Sequence, residues 1–162
     1  FKKALELSKN EAKLYFFIGA SFFEKNDRKR AIEYLEKASS IEPGDPEINN
    51  LLAYSYALEK KNFDRALELV ESALTVKPEN IAYLDTKGWI YYQRGEYEKA
   101  FEVFNRVEIL LQNTNEITAG FDEIYFHLAK IYEEMGDKKG AQNYKEKIRR
   151  YFPHSKWKDK RE

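Results

Sequence analysis

The sequence predicts an all-α fold in which antiparallel helix pairs stack into an α-solenoid. Apolar residues recur at steps of three and four, which is the spacing of one helix face, and no stretch alternates with the period of a strand. Four similar segments, RKRAIEYL, FDRALELV, YEKAFEVF and KKGAQNYK, place alanine at positions 31, 66, 100 and 141. Self-similarity at a period of about 20 to 50 residues is typical of a solenoid, whose repeats bury a shared core.

Each repeat is predicted to contain two helices with a short break between them. The breaks are EKND, EKKN, RGE and MGD, and Gly95 and Gly136 suit the left-handed backbone found just after a helix end. Proline follows the second helix at Pro43, Pro78 and Pro153, because a residue without an N–H group cannot continue a helix. The expected units are residues 12–45, 46–80, 81–114 and 122–155, with the second helix of a truncated preceding repeat at 1–11, an insertion at 115–121, and the start of a capping helix or a tail at 156–162.

These repeats resemble the tetratricopeptide repeat (TPR), whose pattern is W-x2-L-G-x2-Y, then A-x3-F, then P, over about 34 residues. The third unit shows the match at Leu84, Gly88, Tyr91, Ala100 and Phe104. The resemblance covers nearly the whole chain and implies a TPR superhelix. The amino-acid sequences of the repeats are similar to those of bacterial TPR proteins. This resemblance implies that the protein is located in the bacterial cytoplasm or in the cell envelope or periplasm. A first residue other than Met suggests a piece of a longer array.

Four positions depart from the TPR pattern. Lys87 and Lys145 stand at apolar positions, so only the aliphatic stems of their side chains can pack there. Asn49 replaces a large aromatic residue. Gln112 replaces the proline that normally follows the second helix, which leaves the second helix of the third unit able to run on.

Small residues are predicted to face one another across each hairpin. Glycine inside an exposed helix costs about 1 kcal/mol relative to alanine, so its presence in a helix requires a reason. Close approach of two helices supplies that reason, because a larger side chain would overpack the contact, typically by about 1–3 kcal/mol. The predicted packing residues are Gly19, Ala31, Ala53, Ala66, Gly88, Ala100, Ala129 and Ala141.

The resemblance also implies that a second stripe on the first helix of each unit lines a concave groove. Its predicted residues are Asn50, Tyr54, Asp85, Trp89, Tyr92, Phe126, His127 and Lys130. Aromatic side chains would supply contact area, and Asn or Asp could bind the backbone amides of a peptide. For Tyr54, Trp89 and Tyr92, packing between helices is an equal alternative. For Asn50 and Asp85, a helix cap or a hydrogen bond within the repeat is equally compatible with the sequence.

The function that this groove favours is that of a non-catalytic scaffold binding a peptide or helix of a partner protein, whose identity the sequence does not give. The alternative is a structural spacer or self-assembly module. End-to-end self-association through the open N-terminal repeat, where Phe1 and Leu5 have no covering helix, would support that alternative.

Other classes of function have little support in the sequence. The sequence does not indicate a metal site, because it has no cysteine and its two histidines lack the spacing of metal ligands. It also lacks a glycine-rich phosphate loop and a pair of carboxylates suited to catalysis, so it does not indicate an enzyme or a cofactor. Residues 145–162 hold eight basic against three acidic residues, but the whole chain is neutral, so nucleic-acid binding is disfavoured. No apolar run approaches the roughly 20 residues of a membrane span.

Overall fold

The computed structural model describes residues 2–114 and 120–158, with side chains from residue 6 onward. Within these ranges the chain forms eight α-helices and no strand, which confirms the all-α prediction. The helices are α1 Lys2–Glu24, α2 Arg28–Ile41, α3 Pro46–Leu58, α4 Phe63–Val76, α5 Ile81–Arg94, α6 Tyr97–Asn113, α7 Phe121–Glu134 and α8 Lys138–Tyr151. Residues 115–119 of the expected insertion and 159–162 of the expected capping helix or tail lie outside the described residues.

Local sequence signals account for the helix ends. Side chains accept hydrogen bonds from the first turn of four helices, as N-cap residues do. These caps are Asp27, Asp45, Asn80 and Asp137. Gly95 and Gly136 follow α5 and α7 with φ of +82° and +78°, which is the left-handed conformation that the sequence predicts for them.

The first helix runs through the junction between two expected units. Residues 2–24 form a single continuous helix, so no helix end separates residues 2–11 from the unit expected to begin at residue 12. The physical reason is that residues 2–18 contain no glycine or proline, and the weaker helix formers Ser8 and Asn10 do not stop a helix.

The third hairpin has the longer second helix that Gln112 allows. Helix α6 contains 17 residues and ends at Asn113, whereas α2, α4 and α8 contain 14 each. Without a proline after the usual length, α6 continues for most of another turn.

Pairs of consecutive helices form four hairpins, α1/α2, α3/α4, α5/α6 and α7/α8. The second helix of each hairpin contacts the first helix of the next, and the first helices also contact one another in the series α1, α3, α5 and α7. This stacking is the arrangement of an α-solenoid. It leaves the first helices side by side on one surface.

The small residues predicted to lie between paired helices are buried. A Cβ atom built on Gly88 would lie 2.8 Å from Cε2 of Phe104, and one on Gly19 would lie 2.8 Å from Cγ of Leu35. The tightest neighbour of Gly88 is therefore Phe104, one helical turn beyond the expected partner Ala100. Glycine is required because a large side chain on the facing helix occupies the space that a methyl group would need.

The departures from the repeat pattern have structural explanations. Asn49 is fully buried, and its amide nitrogen donates to the carbonyl oxygen of Pro43 at 2.8 Å. Lys87 reaches outward to pair with Glu71 at 3.1 Å. Both residues thus keep their polar atoms satisfied at positions where the pattern favours an apolar residue.

Candidate protein-binding face

The eight predicted groove residues come from three neighbouring first helices. Asn50 and Tyr54 lie on α3, and the others lie on α5 and α7. We call this set the groove face: Asn50, Tyr54, Asp85, Trp89, Tyr92, Phe126, His127 and Lys130. Steps of three or four place the residues of each helix on one side of that helix, and the contacts of α5 with α3 and α7 bring the three sets together.

The centre of the groove face is filled by its own side chains. The exposed fractions are 0% for His127, 6% for Asp85 and Trp89, 7% for Phe126 and 8% for Tyr54. Asn50, Tyr92 and Lys130 are half-buried at the margins. A partner would therefore meet a packed aromatic floor rather than an open trough.

A buried hydrogen-bonded pair joins α5 to α7 at the centre of this face. The Nδ1 atom of His127 lies 2.9 Å from both carboxylate oxygens of Asp85. The Nε2 atom of the same ring lies 3.5 Å from the hydroxyl of Tyr54 on α3. The intramolecular alternative considered for Asp85 is thus present, although its partner lies in the next hairpin rather than in the same repeat.

Tyr54 makes the second link across the face. Its hydroxyl donates to Oε1 of Glu123 at 2.9 Å, which joins α3 to α7 although these helices belong to the second and fourth hairpins. Burial raises the pKa of the Tyr54 phenol, and the negative charges of Glu123 and Asp85 raise it further, so the phenol remains a hydrogen-bond donor. These contacts fix the relative placement of three hairpins, because each polar atom loses its partner if the helices separate.

Aromatic rings complete the floor. Trp89 stacks between Tyr92, at 4.7 Å between ring centroids, and His127, at 3.9 Å. Phe126 stacks on Trp157 at 4.3 Å. Trp157 belongs to the segment after α8 and is not among the groove residues that the repeat pattern predicts.

Ser155 holds the segment that carries Trp157. Its hydroxyl donates to Oδ2 of Asp122 at 2.5 Å and accepts a hydrogen bond from the backbone N–H of Trp157. A serine two residues before a tryptophan, after a helix-ending proline, is the one sequence signal for this turn. It does not indicate which surface the tryptophan would cover.

Two pockets flank the aromatic floor. The α5/α7 pocket has a volume of about 270 Å³ and lies where α3, α5 and the start of α7 meet. Its polar lining residues are Asn50, Tyr54, Asp85, Thr86 and Glu123. The α7/α8 pocket has a volume of about 430 Å³, and its main lining residues are Phe126, Lys130, Glu133, Lys145, Arg149 and Trp157.

The two pockets differ in charge. In the α7/α8 pocket, Glu133 pairs with Lys145 and, at 3.5 Å, with Lys130. Burial acts to raise the pKa of Glu133, but the hydrogen bond and charge of Lys145 and the charge of Lys130 outweigh it, so this pKa is lowered. Arg149 adds a further positive charge to the lining. The α5/α7 pocket, in contrast, is lined by carboxylates and contains no basic lining residue.

Within the described residues, no cluster of three or more histidine, aspartate or glutamate side chains is arranged to hold a metal ion. None of the helices described above combines the length and the apolar character that crossing a membrane requires.

Stacked helical hairpins with a shared face of first helices define the class of helical-repeat solenoids. Three family models, each described as tetratricopeptide repeat, match residues 12–45, 51–113 and 123–155. The chain belongs to the tetratricopeptide repeat family. Repeats of this family indicate a protein-interaction scaffold in general terms, and their fold is typically non-catalytic.

Relatives come from distant organisms. BBSome complex member BBS4 of Bos taurus is 28% identical over 124 residues, which cover 74% of this chain and 23% of that protein. General transcription factor 3C polypeptide 3 of Homo sapiens is 27% identical over 120 residues, covering 74% of this chain and 13% of that protein. The chain thus spans about a quarter or less of the length of these relatives.

Solved structures share the fold. A thermophilic TPR protein of Thermus thermophilus superposes with a TM-score of 0.71 at 19% identity, covering 96% of this chain and 81% of that chain. MamA gives a TM-score of 0.63 at 20% identity, with coverage of 88% and 79%. PilF of Pseudomonas aeruginosa gives 0.61 at 18% identity, with coverage of 97% and 68%. The likeness concerns the architecture of the repeats.

Proposed function

We propose that this chain is a non-catalytic scaffold that binds a peptide segment or a helix of a partner protein across the groove face. The observation that carries the proposal is the pair of pockets on either side of the aromatic floor. Asn50, Tyr54 and Asp85 line one pocket, and Phe126 and Lys130 line the other. Five of the eight groove residues therefore line concave surface, which is where proteins bind ligands.

The packing beneath the pockets suits this role. The Asp85–His127 pair and the Tyr54–Glu123 hydrogen bond hold α3, α5 and α7 in place before any partner arrives. A site that is already ordered loses less conformational entropy on binding, so more of the contact energy appears as affinity. The partner would supply side chains for the two pockets and lie over the aromatic floor between them.

Selection of random peptides displayed on phage against the purified chain would test the proposal. Asn50→Ala combined with Lys130→Ala alters the margins of the groove face without removing a buried core residue. The matched control is Asn105→Ala combined with Lys139→Ala, which changes the same residue types at exposed positions of α6 and α8. Circular dichroism would establish that all chains fold.

Selected peptides that bind the wild-type and control chains, but bind the groove-face variant at least about tenfold more weakly, are the expected result. Peptides that bind all three chains equally would place binding on another surface. Failure to select any peptide that binds the folded chain would also count against the proposal.

The alternative role in self-association has a specific observation in its favour. Leu7, Leu14 and Phe17 of α1 are 62%, 58% and 66% exposed. Their spacing of seven and three places them near one another on one side of the helix, and contiguous exposed apolar side chains often mark an interaction surface. Sedimentation velocity over a range of concentrations would test this alternative. A mass that rises with concentration, and stays monomeric in a Leu14→Glu, Phe17→Glu variant, is its expected result.

A further inference from the structure

We infer that the α5/α7 pocket accepts the basic side chain of a lysine or arginine from the partner peptide. This inference rests on the proposed function and adds the chemistry of one anchor. Three independent features of the pocket lead to it: the charge of its lining, a buried acceptor without a partner, and an apolar wall suited to an aliphatic stem.

The lining of the pocket is acidic. Glu123 and Asp85 contribute carboxylates, and none of the lining residues is lysine, arginine or histidine. Asp85 directs both oxygens at His127, so its charge is already engaged. Glu123 accepts from the Tyr54 hydroxyl through Oε1 only, and Oε2 has no hydrogen-bond partner or ion pair among the described residues. Glu123 is therefore the carboxylate available to a cation.

Asn50 supplies the second feature. Its side-chain oxygen Oδ1 is buried and has no hydrogen-bond partner among the described residues, although Asn50 lines the pocket. A buried acceptor without a donor is unfavourable and rare in folded proteins. Rotation of the Asn50 amide would bring this oxygen to the pocket surface, where the N–H groups of an ammonium or guanidinium group would satisfy it.

The other walls of the pocket are apolar. Ile81, Phe121 and Ile124 line it together with the ring of Tyr54. The pocket volume of about 270 Å³ is smaller than that of typical drug-sized ligand sites, which favours a single side chain as the occupant. The methylene stems of lysine and arginine pack along apolar surface while their charged ends reach polar groups.

Arg28 is a positively charged residue close enough to Tyr54 to affect its pKa, but it does not line the pocket. Arg28 lowers the pKa of the Tyr54 phenol slightly against the larger upward effect of burial. Arg28 forms no ion pair among the described residues and is not part of the pocket wall. The charge that faces the pocket interior is thus that of the carboxylates.

The experiment is an NMR titration of the isotopically labelled chain with Nα-acetyl-arginine amide. Nα-acetyl-citrulline amide is the probe control, because it has nearly the same shape and no charge. Glu123→Gln is the test variant, since the glutamine carbonyl can still accept from Tyr54 while the charge is lost. Glu102→Gln is the matched control variant, with the same change at an exposed position on α6.

The expected result is that the arginine amide shifts the signals of residues lining the α5/α7 pocket in the wild type and in Glu102→Gln. Affinity should fall about tenfold in Glu123→Gln, as expected for loss of one charged hydrogen bond, and by a similar factor for the citrulline amide. Equal affinity for the arginine and citrulline amides would overturn the inference. So would shifts in this pocket with Nα-acetyl-glutamate amide instead, or no shifts there at saturating arginine amide.

The phage experiment separates this inference from the proposed function. Peptides whose binding depends on the groove face, but which contain no basic residue required for binding, would leave the proposed function standing and overturn the inference. Peptides that require one Lys or Arg, and that lose affinity when Glu123 becomes Gln, would support both.

Discussion

The Nδ1 atom of His127 lies 2.9 Å from both carboxylate oxygens of Asp85, and the exposed fractions of the two residues are 0% and 6%. The two residues stand 42 positions apart and belong to adjacent hairpins. Their contact acts as an internal brace, by which we mean that two polar side chains of the groove face hold α5 and α7 together.

Replacing Asp85 with alanine is expected to destabilise the fold by about 1–3 kcal/mol or more, because the buried imidazole nitrogen loses its acceptor. Asp64→Ala is the matched control. Asp64 likewise has a basic partner, Arg94 at 2.7 Å, but the Asp64 side chain is 87% exposed. The control should cost no more than about 1 kcal/mol, since exposed ion pairs contribute little.

Urea denaturation followed by circular dichroism would measure both effects. Similar losses of unfolding free energy in the two variants would contradict the interpretation of Asp85 as a brace. An unchanged denaturant slope would show that the same two-state unfolding is being compared.

The contact between Gly88 and Phe104 leads to a second prediction. Gly88→Ala adds a methyl group 2.8 Å from the Phe104 ring, so the ring has to move. Overpacking costs typically about 1–3 kcal/mol, while the better helix propensity of alanine returns about 1 kcal/mol. A net loss of roughly 1 kcal/mol in unfolding free energy is expected. Gly44→Ala is the control, because nothing lies within 4 Å of a Cβ built there.

A double variant sharpens this test. Phe104→Leu should itself be destabilising because it leaves a cavity. Combined with Gly88→Ala, it should cost less than the sum of the two single variants, since the new methyl group would occupy part of that cavity. Strictly additive losses would show that the two residues do not compete for the same space.

The sequence predicts the repeat architecture well because each hairpin depends on local signals. Spacing of apolar residues, caps such as Asn80, and the left-handed Gly95 all act within one or two helical turns. The close helix approach at Gly88 is predictable for the same reason, since glycine inside a helix is unfavourable without it. Where the local signals are weak, as around Ser8 and Asn10, the helix continues through the junction expected at residue 11.

The groove face is harder to predict because it depends on contacts between hairpins. Sequence spacing places Asp85 and His127 on the correct sides of their helices, but it does not show that the two side chains meet. It also gives no signal that Trp157 would fold back onto Phe126. How far hairpins turn relative to one another decides whether such a face stays open, and that angle is set by packing across repeats.

Alkaline pH is expected to destabilise the fold through the buried Tyr56 and the half-buried Tyr92. Burial raises the pKa of Tyr56 to about 12, helped by its hydrogen bond to Glu36, and burial with the charge of Glu134 raises the pKa of Tyr92 to about 12. The fold favours the neutral phenols. Their contribution to stability is therefore fully present below the ordinary pKa of 10.0 and is lost as pH rises towards about 12.

Urea midpoints measured across this pH range would show the loss, and tyrosinate absorbance would report the titration itself. In Tyr56→Phe, the fold should be less stable at neutral pH because the hydrogen bond to Glu36 is missing. Its stability should nevertheless fall less steeply above pH 10 than that of the wild type. Parallel pH dependence of the two chains would exclude a contribution from Tyr56.

The last prediction concerns Asn49, which occupies a position where the repeat pattern favours a large aromatic residue. Its amide nitrogen donates to the carbonyl oxygen of Pro43 at 2.8 Å, and its Oδ1 accepts from Ser39 at 3.2 Å. Asn49→Ala should lower the unfolding free energy by about 1–3 kcal/mol, because both groups lose a buried partner. Asn105→Ala, at an exposed position of α6, should change it by no more than about 0.5 kcal/mol. Asn49→Leu separates the effect of packing from that of hydrogen bonding. We expect this variant to lose about as much stability as Asn49→Ala, because the amide joins the first hairpin to the second. Full stability of Asn49→Leu would contradict this, since it would show that an apolar side chain is sufficient at this position.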